Sequence, residues 1–235
     1  MPNTTEKLYG LIFDIDGVIA DTESINTIAT ARVFAELFDL KDVKQEDFEL
    51  GLGRGAEQYV IAGASVHGLE LTEPQVRKAT QLRQDYFFEV LRSRPLPPFP
   101  GVMELIDQAI TAQDFRLAIA TSGTQEKSMA VLEATKVPYQ QMVYINGNMV
   151  KNKKPDPELF LTAIGQLGLP ASRCVVIEDA PNGVQAAKAA GAKCIAVTNS
   201  ATAEKLSNAD FVCASLKQVN LITLRNLVDS IATAS

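Results

Sequence analysis

The chain has 235 residues, of which 46% are apolar, and its formal net charge is −6. This length and apolar share allow one α/β core with a smaller insert. The negative charge argues against nucleic acid as the main partner, because phosphate backbones require clustered Lys and Arg.

Other features of the sequence bear on location. No apolar run approaches the roughly 20 residues of a membrane span, and the first residues lack the pattern of a secretory signal. Three cysteines that are far apart suggest neither a disulfide framework nor a zinc site. We therefore expect a cytoplasmic protein with no membrane partner, and a monomer by default.

Five short apolar runs predict buried parallel strands, because they are rich in Val, Ile or aromatic residues and do not alternate with polar ones. In chain order they are Tyr9–Ile15, Leu117–Thr121, Met142–Ile145, Cys174–Ile177 and Cys194–Thr198. Helical patterns lie between most of them, at Gly101–Gln113, Thr124–Thr135, Pro155–Leu167 and Asn182–Ala190. This alternation predicts a doubly wound α/β fold with a parallel sheet.

The interval between the first two runs breaks the alternation. It contains three helical patterns, at Ser24–Phe38, Ala56–His67 and Thr72–Leu91, and ends in a Pro-rich stretch over residues 94–101 that resembles a hinge. We predict a core made of residues 1–19 and 95–235, and a helical insert made of residues 20–94.

Paired acids follow the first run. Asp14 and Asp16 come at its end, and Gly17 then allows a sharp turn. Open α/β sheets bind their ligands beyond the carboxyl ends of their strands. On this segment alone, a catalytic pair and a simple turn are equally good interpretations, whereas a calcium loop lacks its later ligands.

A second acidic pair, Glu178 and Asp179, ends the fourth run. Two such pairs buried side by side would repel each other, and a hard divalent cation such as Mg²⁺ resolves that conflict. The alternative is that Asp179 caps the helix that begins near Asn182.

Two further residues suit a phosphate ligand. Thr121 ends the second run, and the glycine and helix start that follow it offer N–H donors to phosphate oxygens. Lys154 stands before a helix and can neutralise phosphate as a point charge. Taken together, the four sites indicate phosphoryl transfer.

These residues resemble a known family. Asp14-x-Asp16-Gly17-Val18, Thr121, Lys154 and Glu178-Asp179 are similar to the four ordered motifs of the haloacid dehalogenase superfamily. The first motif, with Asp21-Thr22-Glu23 after it, resembles the β-phosphoglucomutase-like branch. The resemblance implies the strand order 3-2-1-4-5 and a helical cap domain over residues 20–94.

The resemblance also implies a mechanism. Asp14 would be the nucleophile that forms an aspartyl phosphate, and Asp16 the general acid and base. Mg²⁺ would be held by Asp14, the Asp16 carbonyl and Asp179, with Glu178 in support. Thr121 and Lys154 would complete the catalytic set.

Substrate residues follow from the same resemblance. Gly53 and Arg54 lie in a Gly-rich loop similar to the specificity loop of the family, where an arginine grips a distal anionic group; an exposed arginine in a turn is the alternative. Ser122 and Asn26 are the other predicted substrate contacts. Asn26 stands where the mutases carry a histidine.

These departures bear on the reaction. Leu50 stands where the mutase has a lysine, so with Asn26 two polar groups suited to a sugar bisphosphate are lost. We therefore predict a phosphatase that acts on a small, sugar-phosphate-like metabolite. A phosphosugar mutase and an inorganic pyrophosphatase are the alternatives, and His67 is predicted to be structural or solvated.

Overall fold

The computed structural model describes residues 7–230, and within them six parallel strands form one sheet. The strands are β1 (Tyr9–Phe13), β2 (Phe115–Ala120), β3 (Val143–Ile145), β4 (Cys174–Glu178), β5 (Lys193–Val197) and β6 (Phe211–Cys213). Their order across the sheet is β3-β2-β1-β4-β5-β6, so the order predicted for the first five strands is confirmed. The sequence analysis did not predict β6.

Helices cover both faces of the sheet and fill the insert. They are α1 (Thr22–Phe38), α2 (Ala56–Val66), α3 (Glu73–Ser93), α4 (Val102–Ala112), α5 (Gln125–Thr135), α6 (Glu158–Leu167), α7 (Pro181–Ala189) and α8 (Leu221–Asp229). Over residues 7–230, none of them combines the length and apolar character required to traverse a bilayer. The sequence analysis missed α8 and began α6 three residues too early.

The two central strands are buried from end to end. Leu11 and Phe13 of β1 point into one apolar cluster, while Ile12 between them points into the cluster on the opposite face. A strand covered on both faces needs apolar residues at every position, which explains the unbroken runs in the sequence.

Pairing of the strands brings the acidic motifs to one edge. Phe13 of β1 is in register with Ile177 of β4 and with Ile119 of β2. Because the three strands are parallel and adjacent, the residues that follow them leave the sheet side by side. The site is therefore built at the carboxyl ends of β1, β2 and β4.

The helical insert has an apolar cluster of its own. Phe34 of α1 lies beside Phe48, which stacks on Tyr59 of α2 with the ring centroids 4.4 Å apart. The two segments that join the insert to the sheet run next to each other, since the Phe99 N–H donates to the Ile19 carbonyl at 2.7 Å. The division into two domains at residues 20 and 94 stays a prediction.

A close contact between the central strands gives a test of the fold. A β-carbon added at Gly10 of β1 would lie 2.5 Å from Cys174 Sγ of β4 and 3.2 Å from Leu167. We expect Gly10→Ala to lower the free energy of unfolding by about 1–3 kcal/mol, because the contact overpacks the core. Chemical denaturation of the variant and of the wild-type protein measures this loss.

The double variant Gly10→Ala/Cys174→Ala should recover part of this loss, because the sulfur atom is the nearest obstacle. Gly165→Ala is the matched control. Gly165 is exposed on α6, and a β-carbon there meets no atom of residues 7–230 within 4 Å, so alanine should stabilise the protein by about 0.5–1 kcal/mol. Equal effects of the two glycine substitutions would contradict the close approach of β1 to β4.

Candidate active site

Three carboxylates converge where β1 and β4 end. Asp14 follows β1, Glu178 is the last residue of β4, and Asp179 comes next. One oxygen from each lies within 4.8 Å of the others, and all three residues are buried. The structure thus brings Asp14 together with two acids that lie 164 and 165 positions further along the chain.

A buried lysine lies against two of these acids. Lys154 Nζ is 2.6 Å from Glu178 Oε1 and 3.0 Å from Asp14 Oδ1, and its side chain is fully buried. The contact with Asp14 is an ion pair, and Asp14 Oδ1 has no hydrogen-bond partner of good geometry among residues 7–230. Glu178 is better satisfied, since its Oε2 accepts from the N–H groups of Asp179 and Ala180.

Two glycines make room for the carboxylates. A β-carbon at Gly17 would lie 1.7 Å from Asp179 Oδ2, and Gly17 has the positive φ of 74° that favours glycine. A β-carbon at Gly183 would lie 2.0 Å from the Glu178 carboxylate. Only glycine therefore lets the backbone approach these two acids so closely.

The charges of this group do not balance. Three carboxylates and one ammonium leave two formal negative charges in a buried site. The pKa of Asp14 is raised to about 7: burial is the largest cause, the charge of Lys154 opposes it, and the charges of Glu178 and Asp16 add to it. Burial likewise raises the pKa of Asp179, with Glu178 and Asp14 adding to the effect. This oxygen-rich, electron-rich set fits Mg²⁺, which binds carboxylates and keeps several waters.

The alternative interpretation of Asp179 as a helix cap is wrong. The N-cap residue of α7 is Ala180, and no side chain caps its first turn. The Asp179 carboxylate turns toward the other acids instead.

Thr121 and Ser122 lie at the same edge, just after β2. Both are buried, and Thr121 Oγ1 accepts from the Gly123 N–H at 3.1 Å. Ser122 Oγ is buried without a hydrogen-bond partner among the described residues. The side chains therefore leave hydrogen-bonding capacity free beside Asp14.

Asp16 is held by two donors. Thr22 Oγ1 and Lys127 Nζ both donate to its Oδ1, the lysine at 2.8 Å. Burial acts to raise the pKa of Asp16, but the charge and hydrogen bond of Lys127 outweigh it and hold the pKa below its ordinary value. The sequence analysis had assigned no role to Lys127.

A cavity separates this edge of the sheet from the helical insert. Asp14, Asp16, Ser122 and Lys127 line its floor, and Glu23, Asn26, Tyr59 and Arg83 line its walls. Asn26 Nδ2 donates to Glu23 Oε1 at 3.0 Å, whereas Glu23 Oε2 and Asn26 Oδ1 are buried without partners among residues 7–230. Two acceptors are thus available to a ligand with hydrogen-bond donors.

Arg83 is a buried cation in the wall of the cavity. Its Nε donates to Thr30 Oγ1 at 2.8 Å, and its guanidinium lies over the Tyr59 ring, 4.6 Å from the centroid. Formal charge therefore balances here, since Arg83 and Lys127 offset Asp16 and Glu23. Sequence reasoning missed these residues because Arg83 and Lys127 look like the polar faces of amphipathic helices.

The Gly-rich loop of residues 51–55 closes one side of the cavity. Gly51, Gly53 and Gly55 line it, and the Leu52 carbonyl accepts from Asn182 Nδ2 of the core at 3.1 Å. Arg54 is half-buried but is not among the residues that line the cavity. The substrate role of Arg54 and Gly53 stays a prediction.

His67 lies away from the cavity. Its Nε2 is 2.8 Å from Asp47 Oδ2, a contact made within the helical insert. This contact fits the structural role predicted for it.

Comparisons with known proteins identify the family of this chain. The family model "Haloacid dehalogenase-like hydrolase" matches residues 11–197. The chloroplastic protein SUPPRESSOR OF QUENCHING 1 of Arabidopsis thaliana is 34% identical over 197 residues, which are 81% of this chain and 18% of that protein. The chain thus spans about a fifth of that relative.

Two shorter relatives match over most of their length. A "phosphorylated carbohydrates phosphatase" of Thermotoga maritima is 31% identical over 187 residues, 78% of this chain and 82% of that protein. The crystal structure of CbbY from Rhodobacter sphaeroides with xylulose 1,5-bisphosphate has a TM-score of 0.80 and 28% identity, and the match covers 92% and 99% of the two chains. The family predicted from the four motifs is confirmed: the chain belongs to the haloacid dehalogenase-like hydrolases.

Proposed function

We propose that this protein is a magnesium-dependent phosphatase that hydrolyses a small phosphorylated metabolite rich in hydroxyl groups. The observation that carries the proposal is the buried convergence of Asp14, Glu178 and Asp179 around Lys154. The names of the Thermotoga relative and of the CbbY complex support a phosphorylated sugar as substrate.

Asp14 is the proposed nucleophile. One of its oxygens attacks phosphorus, the bond from phosphorus to the leaving oxygen breaks, and an aspartyl phosphate forms. Lys154 offsets the negative charge at this point, and Thr121, Ser122 and nearby backbone N–H groups donate to the phosphoryl oxygens. Asp14 is suited to this role because it follows β1 directly and lines the cavity, with the Lys154 ammonium 3.0 Å from its Oδ1.

Asp16 is the proposed proton donor and acceptor. Its carboxyl group donates a proton to the leaving oxygen, and its carboxylate later takes a proton from the water that attacks the aspartyl phosphate. This second attack releases inorganic phosphate and restores Asp14. Asp16 lines the same cavity as Asp14, as both steps require.

Asp14, Asp179 and the Asp16 carbonyl are the proposed ligands of Mg²⁺. When bound, the ion supplies positive charge that reduces the repulsion between an anionic nucleophile and an anionic phosphate. Glu178 supports the site indirectly, since it holds Lys154 and two backbone N–H groups.

The insert is the proposed source of specificity. Glu23 Oε2 and Asn26 Oδ1 are free acceptors in the cavity wall and would bind substrate hydroxyls. Leu50 is 75% exposed and is not among the residues that line the cavity. Its apolar side chain therefore does not provide the charged contact that a lysine at this position provides in the mutases. We also propose a cytoplasmic location, since all three cysteines are free, buried thiols; the monomeric state stays a prediction.

The nucleophile can be tested by substitution. We expect Asp14→Asn to lower kcat at least about 10³-fold, because an amide cannot take up phosphorus. Release of phosphate measures turnover, and circular dichroism checks that the fold is kept. The exposed Asp107→Asn is the matched control and should keep full activity; an active Asp14→Asn enzyme would refute the covalent mechanism.

Metal binding can be tested without turnover. Mg²⁺ at about 100 times its Kd should stabilise the protein by roughly 2.7 kcal/mol, because it binds the folded state alone. Thermal melting should show Tm rising by several degrees, and Asp179→Asn should lose most of this rise. Asp107→Asn should keep it, and EDTA should stop turnover. If Asp179→Asn shows the full rise, the ion binds elsewhere.

A screen of phosphorylated metabolites with Mg²⁺ distinguishes the reactions. We expect the highest kcat/KM for a sugar or polyol monoester, with inorganic phosphate as the product, because the free acceptors suit hydroxyl groups. Conversion of a hexose 1-phosphate to the 6-phosphate in the presence of its bisphosphate would instead identify a mutase. Preferred turnover of pyrophosphate would identify a pyrophosphatase.

A further inference from the structure

Lys127 makes one ion pair among the described residues, and its partner is Asp16. Lys127 lies in the first turn of α5, and its Nζ is 2.8 Å from Asp16 Oδ1. The pair is largely removed from solvent, since the two side chains are 14% and 21% exposed. Coulombic attraction at such a distance is several times stronger there than in bulk water.

The contacts of Asp16 are one-sided. Lys127 Nζ and Thr22 Oγ1 both donate to Oδ1, whereas no described residue donates to Oδ2. Oδ2 lies on the side of Gly123, 3.9 Å from the position of a β-carbon added there. One oxygen is therefore held in place, and the other is left open to the cavity.

An aromatic ring of the insert covers the ammonium group. Phe87 of α3 is 1% exposed, and its ring centroid lies 4.8 Å from Lys127 Nζ. The same two helices are also joined by a hydrogen bond of 2.7 Å from Gln84 Nε2 to Glu126 Oε2. The environment of the pair therefore depends on where the insert lies.

We propose that Lys127 is a positioning residue, which holds Asp16 so that its Oδ2 is directed at the reacting group. Phe87 covers the Lys127 ammonium, so this arrangement requires the helical insert to be packed against the core. This inference rests on the proposed function. It assigns to a residue outside the four motifs the task of aligning the proton donor.

The proton step shows why alignment matters. Only a protonated Asp16 can donate, so in the reacting complex the proton lies on Oδ2 while Oδ1 still accepts from Lys127 Nζ. As the bond from phosphorus to the leaving oxygen breaks, that oxygen takes the Oδ2 proton. In the second step, Oδ2 takes a proton from water while the water oxygen bonds to phosphorus and Asp14 leaves. A carboxyl group free to rotate about its side-chain bonds would meet the leaving oxygen in few of its conformations.

The dependence of kcat/KM on the leaving group distinguishes a positioning role from a purely structural one, which would affect all substrates equally. A good leaving group such as p-nitrophenolate departs without a proton, whereas the alkoxide of glycerol requires one. We expect Lys127→Met to reduce kcat/KM for p-nitrophenyl phosphate less than about threefold. For glycerol 2-phosphate the loss should be at least about 30-fold, within the range that general acid catalysis contributes.

Further variants locate the effect. Lys127→Arg retains a cation and should recover most of the activity on glycerol 2-phosphate. Phe87→Leu should give the same dependence on the leaving group at a smaller magnitude. The control Lys78→Met changes an exposed lysine of α3 and should affect neither substrate.

Each result decides the proposal. Losses of equal size on both substrates would mean that Lys127 binds phosphate or maintains the fold, and would overturn the proposal. Full activity of Lys127→Met on both substrates would also overturn it. If Lys127→Met does not fold, Phe87→Leu and Lys127→Arg carry the same comparison, and uniform losses in both would overturn it. A wild-type protein that releases phosphate from neither substrate would overturn the proposed function itself.

Discussion

The site depends on one constraint, which is the close packing of Asp14, Glu178 and Asp179 at the carboxyl ends of the central strands β1 and β4. Carboxylates buried together are strongly unfavourable unless cations and hydrogen bonds compensate them. Lys154 supplies one positive charge, and two backbone N–H groups satisfy Glu178. The two negative charges that are left over are the charges that a bound divalent cation would offset.

A second charged group, which begins at Asp16, lies beside the first and differs from it in formal net charge. Asp16 and Glu23 are offset by Lys127 and Arg83, so this group is formally neutral without an ion. The difference suits two tasks. The negatively charged group attracts a cation, whereas the neutral group can hold the Asp16 carboxyl group in a fixed orientation.

The helical insert closes the cavity that is lined by Asp14 of the first charged group and by Asp16 and Glu23 of the second. Its helices α1 and α3 supply Glu23, Asn26 and Arg83 to the wall opposite the sheet edge. The core alone would expose Asp16 and Lys127 to water, which would weaken their attraction. The sheet thus supplies the reacting groups, and the insert supplies the surroundings in which they act.

The sequence by itself determined five of the six strands that the structure describes and their acid-bearing ends, because a buried parallel strand needs a continuous apolar run and its polar ending then stands out. The motifs at those ends indicated the family, and the resemblance to that family implied the strand order. Only the tertiary structure decided the partners of Asp16 and the lining of the cavity. Lys127 and Arg83 occupy ordinary helical positions. Their roles arise from packing between segments far apart in the chain, which local periodicity does not record.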